Sequence, residues 1–237
     1  MHSQKLHLIA NWKSHHTISQ SLYWLDQLIK LKPRLTEHLQ ITICLPFIDL
    51  AEFNRRLSSY NFPLVTGAQN VSQYSIGKHT GEITASMLSE LVSYCIVGHS
   101  ERRKQFQETS DQVAQKAEKL QKHFITPIIC LDVPYLEEQV KALLFQKVEL
   151  SKCIFVYEPI TAIGSGKPTD PASANRLADR ISFLTQPEVS VLYGGSVTAQ
   201  NVHQFTSQPA IDGVLVGTDS LNPQDFANII NVLSQSN

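Results

Sequence analysis

Four side chains able to do acid–base or electrostatic chemistry follow short apolar runs in the sequence: Asn11, Lys13, His99 and Glu158. A carboxylate with apolar neighbours acts as a general base once burial raises its pKa from an ordinary value of ~4.3. An imidazole polarises a carbonyl group or shuttles a proton. A lysine stabilises a developing oxyanion or binds a phosphate.

Two short turns add a second kind of group. Gly194-Gly195-Ser196 and Gly217-Thr218 each follow an apolar run. Free backbone N–H groups in such turns bind phosphate, so Ser196, Gly217 and Thr218 are candidate phosphate ligands. Together with a base, an imidazole and a lysine, they favour proton abstraction next to the carbonyl of a small phosphorylated sugar.

The segment after Glu158 has the composition of a lid over a ligand. Proline stiffens its start, two glycines loosen its end, and its middle is apolar. It matches neither a Walker phosphate loop nor a GxGxxG dinucleotide fingerprint. The lid residues are Pro159, Ile160, Thr161, Ala162, Ile163, Gly164, Ser165, Gly166 and Lys167.

Each candidate also has a purely structural interpretation. Lys13 alone is typical of a surface charge, His99 of a structural histidine, and Glu158 of a solvated strand end. The run 101–103 is typical of an ion-pair cluster that holds its loop, although Glu101 is also a candidate support for the catalytic side chains. The functional interpretation depends on all these groups meeting at one place.

Eight apolar runs recur about every 29 residues and predict buried strands of a parallel sheet. Helical patterns lie between them. The runs are Leu6–Ala10, Ile41–Leu45, Leu64–Ala68, Tyr94–Val97, Ile125–Leu131, Cys153–Tyr157, Ser190–Tyr193 and Ile211–Val216.

Three of the helices carry start signals. A capping box of Thr17 and Gln20, a cap at Ser110, and the pair Asn222-Pro223 predict their beginnings. Weaker patterns occupy residues 49–58, 84–92, 135–147, 171–184 and 198–206. The side chains expected to be buried are Ile18, Leu22, Leu25 and Ile29 in the first helix, Val113, Ala114, Ala117 and Leu120 in the second, and Phe226, Ile229, Ile230 and Leu233 in the last.

An α/β fold with eight strand–helix units fits either an open doubly wound sheet or a closed (β/α)8 barrel. The chain ends in a helix and has no Gly-rich fingerprint after its first strand, which favours one barrel domain over residues 1–237. Active sites of such barrels lie at the carboxyl ends of the strands, where all the candidate residues stand.

Composition limits the function classes. A net charge of −1 gives no electrostatic basis for binding nucleic acid or an anionic membrane, and no apolar run reaches the ~18–20 residues of a membrane span. The N-terminal residues lack a secretory signal, so we expect a cytoplasmic protein. Four cysteines, none in a CxxC pair, predict buried reduced thiols and no metal site. They are Cys44, Cys95, Cys130 and Cys153.

Four motifs in order, NWK, VGHSERR, YEPxxAIGxGK and YGGSV, resemble the triosephosphate isomerase family from Asn11 to about Leu221. The resemblance implies a TIM barrel and an isomerase. Its members interconvert dihydroxyacetone phosphate and D-glyceraldehyde 3-phosphate through an enediolate, in glycolysis and gluconeogenesis. It implies no cofactor and no metal.

The resemblance also implies roles for these positions. Glu158 is the base, neutral His99 donates a hydrogen bond to the enediolate oxygens, Lys13 stabilises negative charge, and Asn11 hydrogen-bonds the substrate. Closure of the lid excludes water. The phosphate ligands implied are Gly164, Ser165, Ser196, Gly217 and Thr218.

Family members are homodimers in which the loop after the third strand enters the partner. Here that loop is residues 69–82, and Thr80 matches the inserted position. The chain also departs from the family pattern, and the segment between Lys167 and Tyr193 is shorter than usual. The lid has Thr161 for Trp and Ser165 for Thr, and the turn after the eighth strand has Thr218 for Gly. After the fifth strand the family has Cys-Ile/Val-Gly-Glu, whereas this chain has Cys130-Leu131-Asp132-Val133, which removes a family carboxylate.

Two alternatives stay open from the sequence. One is a phosphosugar-binding barrel without activity, its lid weakened by Thr161 and its phosphate turn crowded by Thr218. The other is a different phosphate-binding barrel enzyme, such as an isomerase of tryptophan or histidine synthesis. That class matches the turns near Ser196 and Gly217 but does not account for the NWK, GHSERR and YEP motifs.

Overall fold

The structure is a computed structural model that describes residues 5–159, 166–185 and 189–235. Eight parallel strands follow one another around a closed barrel in chain order, which confirms the predicted (β/α)8 fold. The strands are β1 Leu6–Asn11, β2 Leu39–Leu45, β3 Leu64–Ala68, β4 Tyr94–Val97, β5 Thr126–Leu131, β6 Ile154–Tyr157, β7 Ser190–Tyr193 and β8 Gly213–Val216.

The helices follow the strands around the outside of the barrel. In the part of the chain that is described they are α1 Ile18–Leu31, α2 Leu50–Leu57, α3 Ala85–Leu88, α4 Ser100–Phe106, α5 Ser110–Lys122, α6 Leu136–Phe145, α7 Pro171–Thr185, α8 Val202–Thr206 and α9 Pro223–Leu233. No residue pattern predicted helix α4, because residues 101–103 were interpreted as part of a loop; only the family resemblance implies a helix N-terminus beside His99. None of these helices is long and apolar enough to cross a membrane.

The predicted strands are correct in number and differ from the observed ones only at their ends. The bounds of β3, β4 and β7 agree with the prediction, whereas β2 begins two residues earlier than predicted. The eighth strand begins at Gly213 and not at Ile211. At Asp212 a side chain takes part in the pairing with β7: its carboxylate accepts the Val191 N–H, while its own N–H donates to Val191 O.

The first helix begins where predicted but buries a different face. The Thr17 N–H donates to Gln20 Oε1 at 2.9 Å, as the capping box requires. Of the four side chains expected to be buried, only Leu25 is, and Ile18 is 41% exposed. The face that carries Trp24 is buried instead, because the Trp24 ring packs edge-on against the ring of Trp12. The residues buried in α1 are Ser21, Trp24, Leu25 and Leu28.

The cap predicted for the second of these helices is wrong by one residue. Thr109 is the cap of α5: its Oγ1 accepts the Gln112 N–H, and its own N–H donates to Gln112 Oε1. Ser110 is the first helical residue. The buried stripe of α5 is as predicted, and so are the buried stripe of α9 and its cap, where Asn222 Oδ1 accepts the N–H groups of Gln224 and Asp225.

The apolar core has two layers. An outer layer fills the space between barrel and helices, and a smaller inner layer fills the barrel itself. All four cysteines are buried and free, as predicted, and burial raises the pKa of each thiol. The inner layer consists of Ile9, Cys44, Ile96, Ile128, Cys130, Ile154, Val156, Leu192 and Leu215.

Gly213 is the tightest point between β8 and β1. Its φ is +151°, and a Cβ there would lie 2.1 Å from the His7 carbonyl oxygen. Gly81 also has a positive φ, +91°, but a Cβ there would meet nothing within 4 Å. An alanine at Gly81 would therefore introduce backbone strain alone, whereas an alanine at Gly213 would introduce both strain and steric overlap.

We expect Gly213→Ala to lower the free energy of unfolding by about 3 kcal/mol or more, because strain and overlap add. Gly81→Ala should cost only about 1–2 kcal/mol from its backbone conformation. Urea unfolding followed by circular dichroism measures both. Equal losses in the free energy of unfolding of the two variants would contradict this prediction and show that β8 and β1 move apart at little cost.

Candidate active site

A cavity of about 550 Å³ opens at the carboxyl ends of the strands. It gathers residues that the sequence separates by more than 200 positions, from the ends of β1, β4, β6, β7 and β8. The predicted site residues that line it are Lys13, His99, Glu158, Ser196, Gly217 and Thr218. These groups therefore line one cavity, as the functional interpretation requires.

A carboxylate and an imidazole meet in this cavity. His99 Nε2 lies 3.3 Å from Glu158 Oε1, and both side chains are buried. His99 also caps helix α4: its Nδ1 accepts the Glu101 N–H at 3.2 Å. A nitrogen that accepts a hydrogen bond carries no proton, so this contact selects the tautomer whose proton is on Nε2. The imidazole thus presents an N–H toward the cavity.

The carboxylate of Glu158 is placed by its surroundings. Its backbone N–H donates to Leu131 O at 2.7 Å, and its Oε2 accepts the Ser100 N–H at 3.4 Å. Gly194 leaves room for the side chain, since a Cβ there would lie 3.1 Å from Glu158 Cγ and 2.7 Å from a methyl group of Val156. A side chain at this position, at the end of β7, would therefore overlap Val156 and crowd Glu158 at the end of β6.

Lys13 is held over the cavity by local and distant contacts. Its backbone adopts a left-handed conformation, φ +51°, and its N–H donates to Asn11 Oδ1 at 3.1 Å. Its Nζ lies 2.6 Å from Glu101 Oε1. Buried Asn11 therefore shapes the turn that carries Lys13. Glu101 contacts two candidate residues, Lys13 by its carboxylate and His99 by its N–H.

The ion-pair cluster expected within residues 101–103 does not form. Glu101 pairs with Lys13, and the Arg102 Nε lies 3.0 Å from Glu108 Oε1. Within the part of the chain that the structure describes, Arg103 forms hydrogen bonds to neutral groups only. The reason is that these residues begin helix α4, so their side chains point in different directions and not at one another.

Glu108 anchors the end of β4 from below. Its Oε2 accepts the Gly98 N–H at 3.1 Å, and its Oε1 contacts both Arg102 and the ammonium of Lys116. Lys116 also donates to Asn70 Oδ1 in the loop after β3. Burial alone opposes ionisation of Glu108, but Lys116 and Arg102 hold its pKa below the ordinary value.

The turn after β7 depends on a residue that the sequence analysis missed. Asn201 Nδ2 donates to Ser196 O at 3.0 Å, and Asn201 Oδ1 accepts the Thr198 N–H at 2.9 Å. Ser196 is held at φ +20°. The asparagine three residues after a threonine was the available signal, since such short polar side chains bond to nearby backbone.

The turn after β8 lies beside the lysine. A Cβ on Gly217 would be 3.9 Å from Lys13 Cε, and Thr218 begins a single helical turn of residues 218–220. Both N–H and Oγ of Ser220 donate to Gly217 O. The positive Lys13 and the turn at 217–218 thus face the same part of the cavity.

Most of the predicted lid, residues 160–165, lies outside the described part of the chain, including Gly164, Ser165 and Thr161. Pro159 and Lys167 flank it, and Gly166 lines the cavity with φ +69°. A second missed residue holds the segment just beyond: the Tyr193 hydroxyl accepts the Thr169 N–H at 2.9 Å, and its ring stacks on Phe205.

The loop predicted to enter a partner subunit is exposed in the single chain. Thr80 lies in it and is exposed, as are large apolar side chains of this loop and of elements after β1, β2 and β3. These apolar residues are Ile18, Ile48, Tyr74, Ile76 and Met87. After β5, Asp132 Oδ1 accepts the Val133 N–H and so caps the turn that replaces the expected family pattern.

The fold and the cavity define an enzyme: a (β/α)8 barrel equipped for acid–base chemistry at the carboxyl ends of its strands. A family model described as Triosephosphate isomerase matches residues 6–233. The chain belongs to the triosephosphate isomerase family, and it is an isomerase.

Curated relatives agree with the family match over nearly the whole chain. Triosephosphate isomerase of Picosynechococcus sp. is 38% identical, over 96% of this chain and 99% of its own length. The enzyme of Gloeothece citriformis is 39% identical over the same shares, and that of Synechocystis sp. is 38% identical over 96% and 98%. The barrel isomerases of tryptophan or histidine synthesis are therefore set aside.

The Glu108 cluster gives a test of the electrostatics beneath the site. Lys116→Met should lower the free energy of unfolding by about 3 kcal/mol, because it leaves a buried carboxylate without its closest cation. Adding Glu108→Gln to that variant should restore part of the loss, since a neutral amide still accepts the Gly98 N–H. Urea denaturation of the two single variants and the double variant measures the coupling. Additive effects would contradict a direct interaction between the two charges.

Proposed function

We propose that the chain interconverts dihydroxyacetone phosphate and D-glyceraldehyde 3-phosphate through an enediolate. The observation that carries this proposal is the direct approach of His99 Nε2 to Glu158 Oε1, 3.3 Å, in a cavity that also holds Lys13. A base, a neutral hydrogen-bond donor and a cation in one cavity are the parts that an enolisation requires.

Glu158 takes the proton from C1 of dihydroxyacetone phosphate. The C1–H electron pair forms the C1–C2 double bond, and negative charge moves to the C2 oxygen. His99, neutral with its proton on Nε2, donates to that oxygen, and Lys13 offsets its charge. The proton then returns from Glu158 to C2 while the hydroxyl proton moves from O1 to O2, which yields the aldehyde.

The phosphate group lies at the other side of the cavity. The proposed ligands are backbone N–H groups of Gly164, Ser165, Ser196, Gly217 and Thr218. The proximity of Gly217 to Lys13 supports this assignment, because a dianion beside the ammonium is favoured electrostatically. A side chain at Thr218 leaves its N–H available for such a bond.

Residues 159–167 are proposed to close over the bound substrate. Exclusion of water strengthens the hydrogen bonds to the enediolate and prevents loss of phosphate from it. Asn11 is proposed to hydrogen-bond the substrate, and the contact between Glu101 and Lys13 supports a role for Glu101 in placing the cation.

The test is the isomerase assay on purified protein. Wild type should interconvert the two triose phosphates, and Glu158→Gln should lower kcat by at least about 100-fold, because the amide cannot accept the C1 proton. Glu90→Gln, the same change at an exposed site, is the matched control and should retain full activity.

The assay also separates the remaining alternative. Inactive wild-type protein that still binds phosphoglycolate would identify a phosphosugar binder, in agreement with Thr161 and Thr218 as weakening substitutions. Inactive protein that does not bind phosphoglycolate would contradict the proposed function altogether.

We further propose that the chain works as a homodimer, a single barrel domain over residues 1–237, in the cytoplasm, with roles in glycolysis and gluconeogenesis and without cofactor or metal. The exposed apolar side chains on successive elements after β1, β2 and β3 support an interface with a second copy. Thr80 is proposed to enter the partner near its Lys13.

Sedimentation should therefore give a mass of twice 26.6 kDa at micromolar concentration. Ile76→Glu, at a side chain 73% exposed, should shift the protein toward monomer, because a charge would be buried in the interface. Phe183→Glu, at a side chain of α7 that is 86% exposed, is the control and should stay dimeric. An active wild-type monomer would contradict this proposal.

A further inference from the structure

Arg103 is a buried cation surrounded by neutral partners. It is 9% exposed, its Nε donates to Gly98 O at 2.8 Å, and its Nη2 donates to Gln139 Oε1 at 2.6 Å and to Cys130 O at 3.5 Å. Among the described residues no carboxylate lies within salt-bridge distance of it. Buried arginines ordinarily pair with a carboxylate, so an arginine whose backbone acceptors are the carbonyls of Gly98 and Cys130 is unusual.

The first of these contacts fixes the peptide group before His99. The Gly98 C=O accepts from Arg103, and the Gly98 N–H donates to Glu108 Oε2, so charged side chains hold the residue from both sides. With φ +71°, Gly98 has no Cβ to obstruct the guanidinium; one there would lie 2.7 Å from Arg103 Nη2. The path of the chain into His99 is therefore set by Arg103 and Glu108 together.

The second contact reaches the neighbouring strand. Cys130, whose carbonyl faces the guanidinium, is followed by Leu131, and Leu131 O accepts the backbone N–H of Glu158 at 2.7 Å. One rigid guanidinium thus links the end of β4, which carries His99, to the strand on which Glu158 rests. The two reacting side chains stand 3.3 Å apart above it.

The guanidinium is itself held in one plane. Gln139 is completely buried in α6, and its Nε2 donates to Ser110 O at 3.0 Å, so its Oε1 is aimed at Arg103. The Arg103 guanidinium carbon also lies 4.9 Å from the centre of the Tyr135 ring. A planar fork with fixed directions is required at this place, which a lysine ammonium does not provide.

We propose that Arg103 is a positioning residue that aligns His99 with Glu158 through Gly98 and the end of β5, without touching the substrate. The proposal rests on the isomerase function proposed above. Misplacement of a reacting group by about 1 Å costs on the order of 100-fold in rate. Loss of Arg103 should therefore lower kcat and leave substrate binding almost unchanged.

The principal experiment is Arg103→Ala with chemical rescue. We expect kcat to fall about 10- to 100-fold with KM within about threefold of wild type. A second cavity of about 320 Å³, lined by Gly98, Arg103 and Tyr135 among others, gives a small ion access to the vacated space and shares Glu158 with the first cavity. Guanidinium at concentrations far below those that unfold proteins should raise kcat several-fold, and urea or sodium ions should not.

Lys104→Ala is the matched control, since it removes the same charge from the same helix and lines the same cavity but is exposed. It should keep wild-type kcat. Gln139→Leu removes the acceptor that orients the guanidinium. Like Arg103→Ala, it should lower kcat. Arg103→Lys retains the charge and tests the need for a planar fork if the alanine variant does not fold.

A folded Arg103→Ala or Arg103→Lys protein with wild-type kcat would overturn the proposal, as would a kcat loss that guanidinium leaves unchanged. Nitrogen NMR of the His99 ring gives a readout independent of activity: the Nδ1 and Nε2 signals should shift in Arg103→Ala and not in Lys104→Ala. Inactive wild type with this shift present would contradict the proposed function and leave the positioning role intact.

Discussion

Closure of eight parallel strands into a ring is the constraint on which the rest of the molecule depends. Parallel pairing aligns all carboxyl ends at one rim, so residues far apart in the chain become neighbours wherever a strand stops. Strand order thus brings Lys13, His99 and Glu158 to one cavity, where local hydrogen bonds then orient them. The inner layer of nine apolar side chains fills the ring and makes it a rigid base for the loops above.

The charged side chains buried below the cavity have a different role from the charged side chain that lines it. Glu108 and Arg103 act on the backbone of Gly98, whereas Lys13 faces the cavity. Groups of the first kind are buried against neutral or paired partners and set geometry. Lys13, about a third exposed at its side chain, stays available to a ligand. In the sequence, Arg103 and Glu108 lie within ten residues of His99, whereas Lys13 comes from the end of β1, 86 residues before it.

The periodic apolar runs predicted the strands, because strands buried on both faces have a distinct composition. The choice of a closed barrel over an open sheet needed two further signals, the last helix and the missing Gly-rich fingerprint after the first strand. Motifs at strand ends predicted part of the cavity lining, including Lys13, His99 and Glu158, but not Asn201 or Gln204. Side-chain direction was not predictable from the same signals. The stripe of α1 was misassigned because Trp24 packs on Trp12, a contact made across the fold, and the partners of Glu101 and Arg102 depend on the short helix α4. Tyr193 was missed because it acts on the backbone of a neighbouring loop. Asn201 acts within its own turn, and its spacing from Thr198 was a signal that the motifs did not include.

The four thiols have a consequence for following the molecule in solution. Two of them, Cys44 and Cys130, lie inside the ring of strands, and Cys95 and Cys153 lie between strands and helices. Each is buried and protonated, so a thiol reagent modifies it only while the surrounding layer is open. The rate of modification therefore reports how often each layer opens. Cys44 and Cys130 report the interior of the ring, and Cys95 and Cys153 report the outer layer, without any introduced label.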